Sequence, residues 1–267
     1  MTGGRAMRFS ANLGFLWTEL PLPAAIRAAA AAGFDAVECH WPYDVPAAEV
    51  RAALAETGLP MLAINTRRGD VAAGEMGLSA LPGREAEARV AIDEALAYAR
   101  AIGAGAVHVM AGRASGSEAE AAFLSNLAHA AARSEGIDLL IEPLNHHDAP
   151  GYFLSRSDQA AALIDRLGEP RVRLMFDCYH VQIMEGDVSR RLARHLPVTG
   201  HVQIAAVPDR GAPDHGELDY GHVLGLLADL GWTRPIGAEY RPGGATEASL
   251  GWMAARKAAS GAGLAPG

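Results

Sequence analysis

The feature that most constrains this chain is a regular alternation. Short apolar runs are each followed by a longer, Ala-rich helical run, from one end to the other. Apolar runs of strand length without polar alternation suit strands buried on both faces, and helices between them suit the crossovers of a parallel sheet. Residues 8–13, 34–39, 59–65, 104–110, 137–142, 171–177, 198–204 and 234–240 read as eight strands. The helices expected between and after them are 23–33, 46–58, 84–103, 117–136, 155–168, one beginning near Gly186, 220–231 and 245–259. Gly33 and Gly58 suit the left-handed position that ends a helix, and a serine at 155 is expected to cap the fifth helix. Eight such units in 267 residues close naturally into one (β/α)₈ TIM barrel spanning 1–267. An open doubly wound sheet is the alternative. It would be expected to carry a Gly-x-Gly-x-x-Gly turn after the first strand, and none occurs there.

Composition narrows the function. Half the residues are hydrophobic and a fifth are charged, which fits a globular chain. The net charge of −8, with no cluster of Lys or Arg, argues against a nucleic-acid partner. Cys39 and Cys178 have no metal-type spacing and read as small buried apolar residues. The opening MTGGRAMRFS lacks the apolar stretch of a signal peptide, and no run is long enough to span a membrane. The expectation is a cytoplasmic protein without membrane contact. Homo-oligomerisation stays open at this stage.

In a barrel of this kind, chemistry sits at the C-terminal ends of the strands. Four later strands each end in one oxygen-bearing residue: Glu142 in LLIEPLN, Asp177 in LMFDCYH, Gln203 in GHVQIA and Glu239 in IGAEYRP. The gaps of 35, 26 and 36 residues each match one barrel step. Any one carboxylate after a strand is as often a helix cap or an ion-pair partner. Three that face one another would repel unless a cation neutralised them. One divalent ion is therefore expected, held by Glu142, Asp177, Gln203 and Glu239. The oxygen donors suit Mg²⁺ or Mn²⁺, with Zn²⁺ and Co²⁺ left open. His180, three residues beyond Asp177, is expected to contact substrate. Arg210 and Arg241 follow the last two strands, and a guanidinium there would suit an anionic substrate. Arg67 and Arg68 are more exposed alternatives. His40 ends the second strand, while His108 and His201 lie inside strands and read as packing residues.

These motifs resemble the hydroxypyruvate isomerase family, within the xylose-isomerase-like group of barrels. The resemblance runs over nearly the whole chain. It is carried by FSANLGFLWTE, GFDAVECHWPYD, IEPLNHHDAPGYFL, FDCYHVQIMEGD, HVQIAAVPDRGAPDHGELDY and GAEYRP. It implies the same four metal ligands and places the acid/base pair on Glu142 and Glu239. It also implies a small hydroxy-oxo acid substrate, either hydroxypyruvate or 2-oxo-tetronate, isomerised through an enediolate. Gln203 stands where related sugar epimerases usually place a histidine, and a ketose or sugar epimerase on the same scaffold is the alternative reading. The chain departs from the family in GEMG at 74–77, where Gly-Glu-Arg-Gly is common, and in TRRG at 66–69, where a proline-containing turn is usual. It departs again after the seventh strand, with Asp214–His215 where small residues are common; these loops are expected to contact substrate, which leaves the exact acid open.

Overall fold

A computed structural model describes residues 7–261, with side chains to Lys257. The first six residues, part of the stretch read above for a signal peptide, lie outside the described residues. Eight strands form the barrel: β1 (Phe9–Asn12), β2 (Ala36–Glu38), β3 (Ala63–Asn65), β4 (Ala106–His108), β5 (Asp138–Ile141), β6 (Val172–Asp177), β7 (Thr199–Ile204) and β8 (Ile236–Ala238). All ladder pairs are parallel, in the order β2-β1-β8-β7-β6-β5-β4-β3. The two end strands meet through residues flanking β3. The Val37 N–H donates to the Pro60 carbonyl at 3.0 Å, and the Leu62 N–H to the Val37 carbonyl at 2.7 Å. The barrel is thereby closed. Every strand falls within its predicted apolar run and is shorter.

Nine α-helices lie among the described residues: α1 (Leu22–Ala31), α2 (Ala47–Thr57), α3 (Glu85–Ile102), α4 (Gly116–Arg133), α5 (Ser157–Leu167), α6 (Cys178–Met184), α7 (Val188–His195), α8 (Tyr220–Asp229) and α9 (Gly251–Gly261). None of them is long and apolar enough to cross a membrane. In α3 the buried face reads Ala88, Ala91, Ile92, Ala95, Leu96, Ala99, Ile102. That is the spacing of one helical stripe turned towards a sheet, and its alanines let the helix approach closely. Left-handed glycines end three of the helices, at Gly58, Gly103 and Gly168.

Two expectations need correction. The predicted serine cap at the start of α5 is absent, since the capping position is Arg156 and no side chain caps it. The start is instead held by Gln159, whose side-chain oxygen accepts from the Ser155 N–H, and by Glu185, which accepts from the Ser157 N–H. The segment between β6 and Gly186 carries no predicted helix. It forms α6 directly, because the Asp177 side chain accepts the Tyr179 N–H at 2.9 Å and so caps the helix. Gly186, at φ 64°, separates α6 from α7.

The core is layered. A large apolar shell fills the space between barrel and helices. Inside the barrel, Ala63, Ala106, Leu140 and Met175 make a small separate apolar cluster. Much of the remaining interior is polar, including Ser10, Asn12, Glu38, His108, His201 and Gln203. Burying so many polar groups costs stability unless they are paired, so this composition points to a site above the apolar layer.

The loops after β3 and β4 form one wall of that site and are locked by glycine. Gly77 (φ 120°) and Gly112 (φ 94°) sit against each other, and a Cβ on Gly112 would run into the Gly77 carbonyl. Gly112→Ala is therefore expected to lower stability by at least ~2 kcal/mol, since strain and overlap add. That corresponds to about 4–8 °C in Tm for a chain of this size. Gly33→Ala, with a similar φ of 84° but open space around the new methyl, should cost clearly less. Equal Tm losses for the two variants would show that the loop contact carries no strain.

Candidate active site

Glu142 lies one residue beyond β5, Asp177 ends β6, Gln203 lies one residue inside the end of β7, and Glu239 follows β8. Asp177 pairs in register with Gln203, and Gln203 with Gly237, so the strand ends that carry these residues are neighbours around the barrel. One oxygen from each of Glu142, Asp177 and Glu239 and one nitrogen from His180 lie within 4.8 Å of one another, and all four residues are buried. Among the described residues this is the one such cluster. It sits at the floor of a cavity of about 500 Å³ whose walls include Phe15, Trp41, Met76, Met110 and Leu144. A deeper pocket beneath it is lined by Asn12, Glu38 and Gln203. Apolar walls over a few convergent polar groups are the usual form of a small-molecule site.

Three carboxylates this close repel, and the structure balances them unevenly. Arg210 is the one guanidinium on the cluster among the described residues. Its Nη2 lies 2.5 Å from Glu239 Oε2 and 3.8 Å from Asp177 Oδ2, and its Nη1 lies 3.2 Å from Asp148. The aromatic faces of Phe15 and Tyr179 flank it, at 4.7 and 5.0 Å. Its backbone is left-handed, at φ 56°, and is held by the Arg210 N–H donating to Ala206 and by its carbonyl accepting from the Arg241 N–H. Such a conformation persists only where the surroundings enforce it.

The carboxyls divide accordingly. Burial works against ionisation of Glu239, but the Arg210 guanidinium, with help from His40, holds its carboxyl well below the usual range. Glu239 also accepts from Asn12 Nδ2 at 2.8 Å and lies 3.1 Å from His40 Nε2. Burial, then the charges of Glu239 and Asp177, pushes Glu142 well above the usual carboxylate range. Burial and Glu239 likewise push Asp177 up to about 8. Glu142 Oε1 and Asp177 Oδ2 have no hydrogen-bond partner, and neither does Gln203 Oε1. Three orphaned oxygens beside an excess of negative charge fit a divalent cation.

His180 is oriented by the loop after β5. Its Nδ1 accepts the Asn145 backbone N–H at 3.0 Å. Burial, then Arg210, depresses its pKa to about 3, so the ring is neutral with its proton on Nε2. Nε2 points at the cluster, 3.6 Å from Asp177 and 3.8 Å from Glu142. A protonated nitrogen has no lone pair for a metal, so this ring serves as a hydrogen-bond donor. Asn145 also makes the turn that places Asp148 against Arg210, its Oδ1 accepting from the His147 and Asp148 N–H groups.

Glu142, Asp177, Glu239, His180 and Arg210 thus meet at one place, with Gln203 just beneath them. Arg241 does not join them. Its side chain is exposed, because the chain has left β8 and the Arg241 N–H is tied to the Arg210 carbonyl. Arg67 pairs with Glu94 at the surface, and Arg68 stacks on the Trp41 ring at 3.8 Å. His108, read above as a packing residue, lines the cavity with Nδ1 3.5 Å from Glu142. Asn12, Glu38, Asn145 and Asp148 were not singled out. Asn12 and Glu38 end β1 and β2, so the strand-end rule applied to all eight strands would have found them. Asn145 and Asp148 act through a turn that no spacing reveals.

The fold and site define a class. Residues 26–256 match the family model described as the xylose isomerase-like TIM barrel. A 2-oxo-tetronate isomerase from Cupriavidus necator is 47% identical over 92% of this chain and 97% of its own. A hydroxypyruvate isomerase from Escherichia coli is 38% identical over 92% of this chain and 98% of its own. A crystal structure from Brucella melitensis, titled an AP endonuclease of family 2, superposes with a TM-score of 0.90 at 40% identity over 93% and 98% of the two chains. The chain belongs to the hydroxypyruvate isomerase family of these barrels, and it is an isomerase.

The uneven ionisation has a measurable consequence. An acid with a raised pKa stabilises the fold at low pH and loses that contribution as pH rises through the raised value; for Asp177 that is about 8. His108 and His180, depressed to about 4 and about 3, contribute fully once pH exceeds their ordinary value of 6.5. Between pH 6.5 and 8 the buried acids of the cluster titrate, together with surface His215, whose pKa Asp214 and Asp209 raise. The Tm of metal-free protein is expected to fall across that window. The fall should be shallower in Asp177→Asn, which keeps the oxygen that caps α6. Identical slopes in scanning calorimetry would count against the assignment.

Proposed function

We propose that the chain isomerises a small hydroxy-oxo acid, hydroxypyruvate or 2-oxo-tetronate, with the help of one divalent ion. The observation that carries this reading is the set of three buried, under-neutralised carboxylates at the barrel mouth, in a chain whose relatives are named for those two activities. One such cluster among the described residues, with one histidine, and a chain charge of −8 do not suit a nuclease with several zinc sites on a basic face.

Glu142, Asp177 and Glu239 would hold the ion, with the Gln203 amide oxygen as fourth donor. When bound, a divalent ion supplies Lewis-acid stabilisation of negative charge on the substrate's oxygens. The reaction moves a carbonyl by one carbon, and its barrier is removal of a proton from the carbon beside that carbonyl. Glu142 is the better-placed base of the pair: the proton that burial keeps on it in the metal-free site would be displaced by the bound ion, and among the described residues no guanidinium hydrogen-bonds its carboxylate as Arg210 does that of Glu239. It takes the proton and leaves an enediolate. Glu239, an ionised carboxylate surrounded by Asn12, His40 and Arg210, is the weaker base; it would take the proton of the substrate's hydroxyl as that oxygen becomes the new carbonyl and pass it to the neighbouring carbon, while the proton on Glu142 goes to the former carbonyl oxygen. His180 Nε2–H donates to a substrate oxygen, and the apolar walls limit water.

Incubation with each acid, followed by proton NMR, tests the reading. Conversion should stop on exhaustive chelation and return with Mg²⁺ or Mn²⁺. Full activity without detectable metal would overturn the ion's role. Glu142→Gln should lose about 10²–10⁴-fold in kcat, together with deuterium exchange from solvent into substrate. Wild-type exchange would make Glu142 a structural carboxylate.

The two arginines separate cleanly. Arg210→Ala removes the cation that faces Glu239 and Asp177 and should lower kcat/KM by at least ~10-fold, a charge-assisted contact being worth roughly 1.5–3 kcal/mol. Arg241→Ala should stay within ~2-fold of wild type. A large effect at Arg241 would show that its loop folds over bound substrate.

A further inference from the structure

Beneath the three carboxylates of the cluster lies a fourth buried carboxylate that the proposed chemistry does not use. Glu38 ends β2 inside the barrel and is 2% exposed. Its Oε2 lies 2.5 Å from His201 Nε2, and its Oε1 accepts from Gln203 Nε2 at 3.4 Å. A carboxylate only accepts hydrogen bonds, so the Gln203 atom that faces Glu38 must be the amide nitrogen. The Gln203 carbonyl oxygen is then turned away from Glu38, and it is the buried atom left without a partner. Gly237 beside them leaves room for this arrangement. A Cβ there would run into Glu38 Oε1 and would lie 2.8 Å from Gln203 Cγ and from His201 Nε2.

We propose that Glu38, packed against His201, is a positioning residue that fixes the Gln203 amide so that its oxygen is offered to the divalent ion. The proposal rests on the metal-dependent reading given above. A carboxamide is ambiguous by half a turn, and in one of its two orientations it would present an N–H that no cation accepts. The Glu38 carboxylate removes that ambiguity, because only one orientation gives it a donor. It also accounts for an amide at position 203. A carboxylate there would face Glu38 with like charge, and a neutral amide supplies a ligand oxygen without it. Groups behind the ligands commonly change metal affinity by about 10–100-fold when removed.

The test is Mn²⁺ affinity, read from the EPR signal of free ion, in wild type, Glu38→Met, Gln203→Ala and the double variant. Glu38→Met keeps the side-chain length and removes the acceptor. It should weaken Mn²⁺ binding by at least ~10-fold alone, and by no more than ~2-fold in the Gln203→Ala background. A loss of equal size in both backgrounds, or no loss in either, overturns the proposal, because a merely structural Glu38 would act whether or not Gln203 is present. If Glu38→Met does not fold, a crystal structure of the wild-type protein loaded with Mn²⁺ decides. Gln203 Oε1 on the ion with Nε2 on Glu38 supports the proposal, and Gln203 outside the ion's coordination shell overturns it. Mn²⁺ binding that Gln203→Ala leaves unchanged also overturns the proposal alone. A wild-type protein that binds no Mn²⁺, Mg²⁺, Co²⁺ or Zn²⁺ overturns the metal-dependent reading with it.

Discussion

Mutual repulsion among Glu142, Asp177 and Glu239 is the constraint on which the rest of the site depends. Their strand ends bring them together, and the surrounding apolar shell keeps water from screening them. Arg210 alone cannot neutralise three carboxylates, so Glu142 and Asp177 hold protons that exposed acids would have lost. The strained backbone of Arg210, the turn at Asn145 and the aromatic faces over the guanidinium all serve to keep one cation where it can bind Glu239. A site built this way is unfavourable without further positive charge and ready to accept it.

The interior of the barrel is divided to make this tolerable. A small apolar cluster of Ala63, Ala106, Leu140 and Met175 packs inside it, away from the outer shell. Elsewhere in the interior some polar groups pair among themselves, as Glu38 does with Gln203 and Asn12 with Glu239. Low dielectric strengthens each of these contacts and makes each unpaired atom costly. Other interior atoms, Ser10 Oγ and His108 Nε2 among them, also lack partners, and the oxygens of Glu142 and Asp177 differ from these in carrying the excess negative charge of the cluster.

Some of this was legible in the sequence. The eight apolar runs, the helices between them and the four strand-end oxygens follow from period and position, because a buried parallel strand must be apolar and a barrel exposes its strand ends. α6 was missed because its signal, an aspartate cap, is carried by a residue that also belongs to the site. Reading Asp177 as a ligand hid its second role. Arg210 and Arg241 looked equivalent, each on a loop after a strand. The hydrogen bond from the Arg241 N–H to the Arg210 carbonyl, which sends one side chain inward and leaves the other in water, joins residues 31 positions apart in sequence and has no local signature.

Sequence by itself determined the class of fold and the identity of the acidic groups, since both depend on local periodicity and on where each strand stops. Only the tertiary structure decided how those groups differ. Which glutamate stays charged, which nitrogen of His180 carries the proton and which end of the Gln203 amide faces the cluster all depend on neighbours brought from other strands: Arg210, Asn145 and Glu38. Ionisation and hydrogen-bond direction are properties of an environment, and that environment exists only once the barrel has closed.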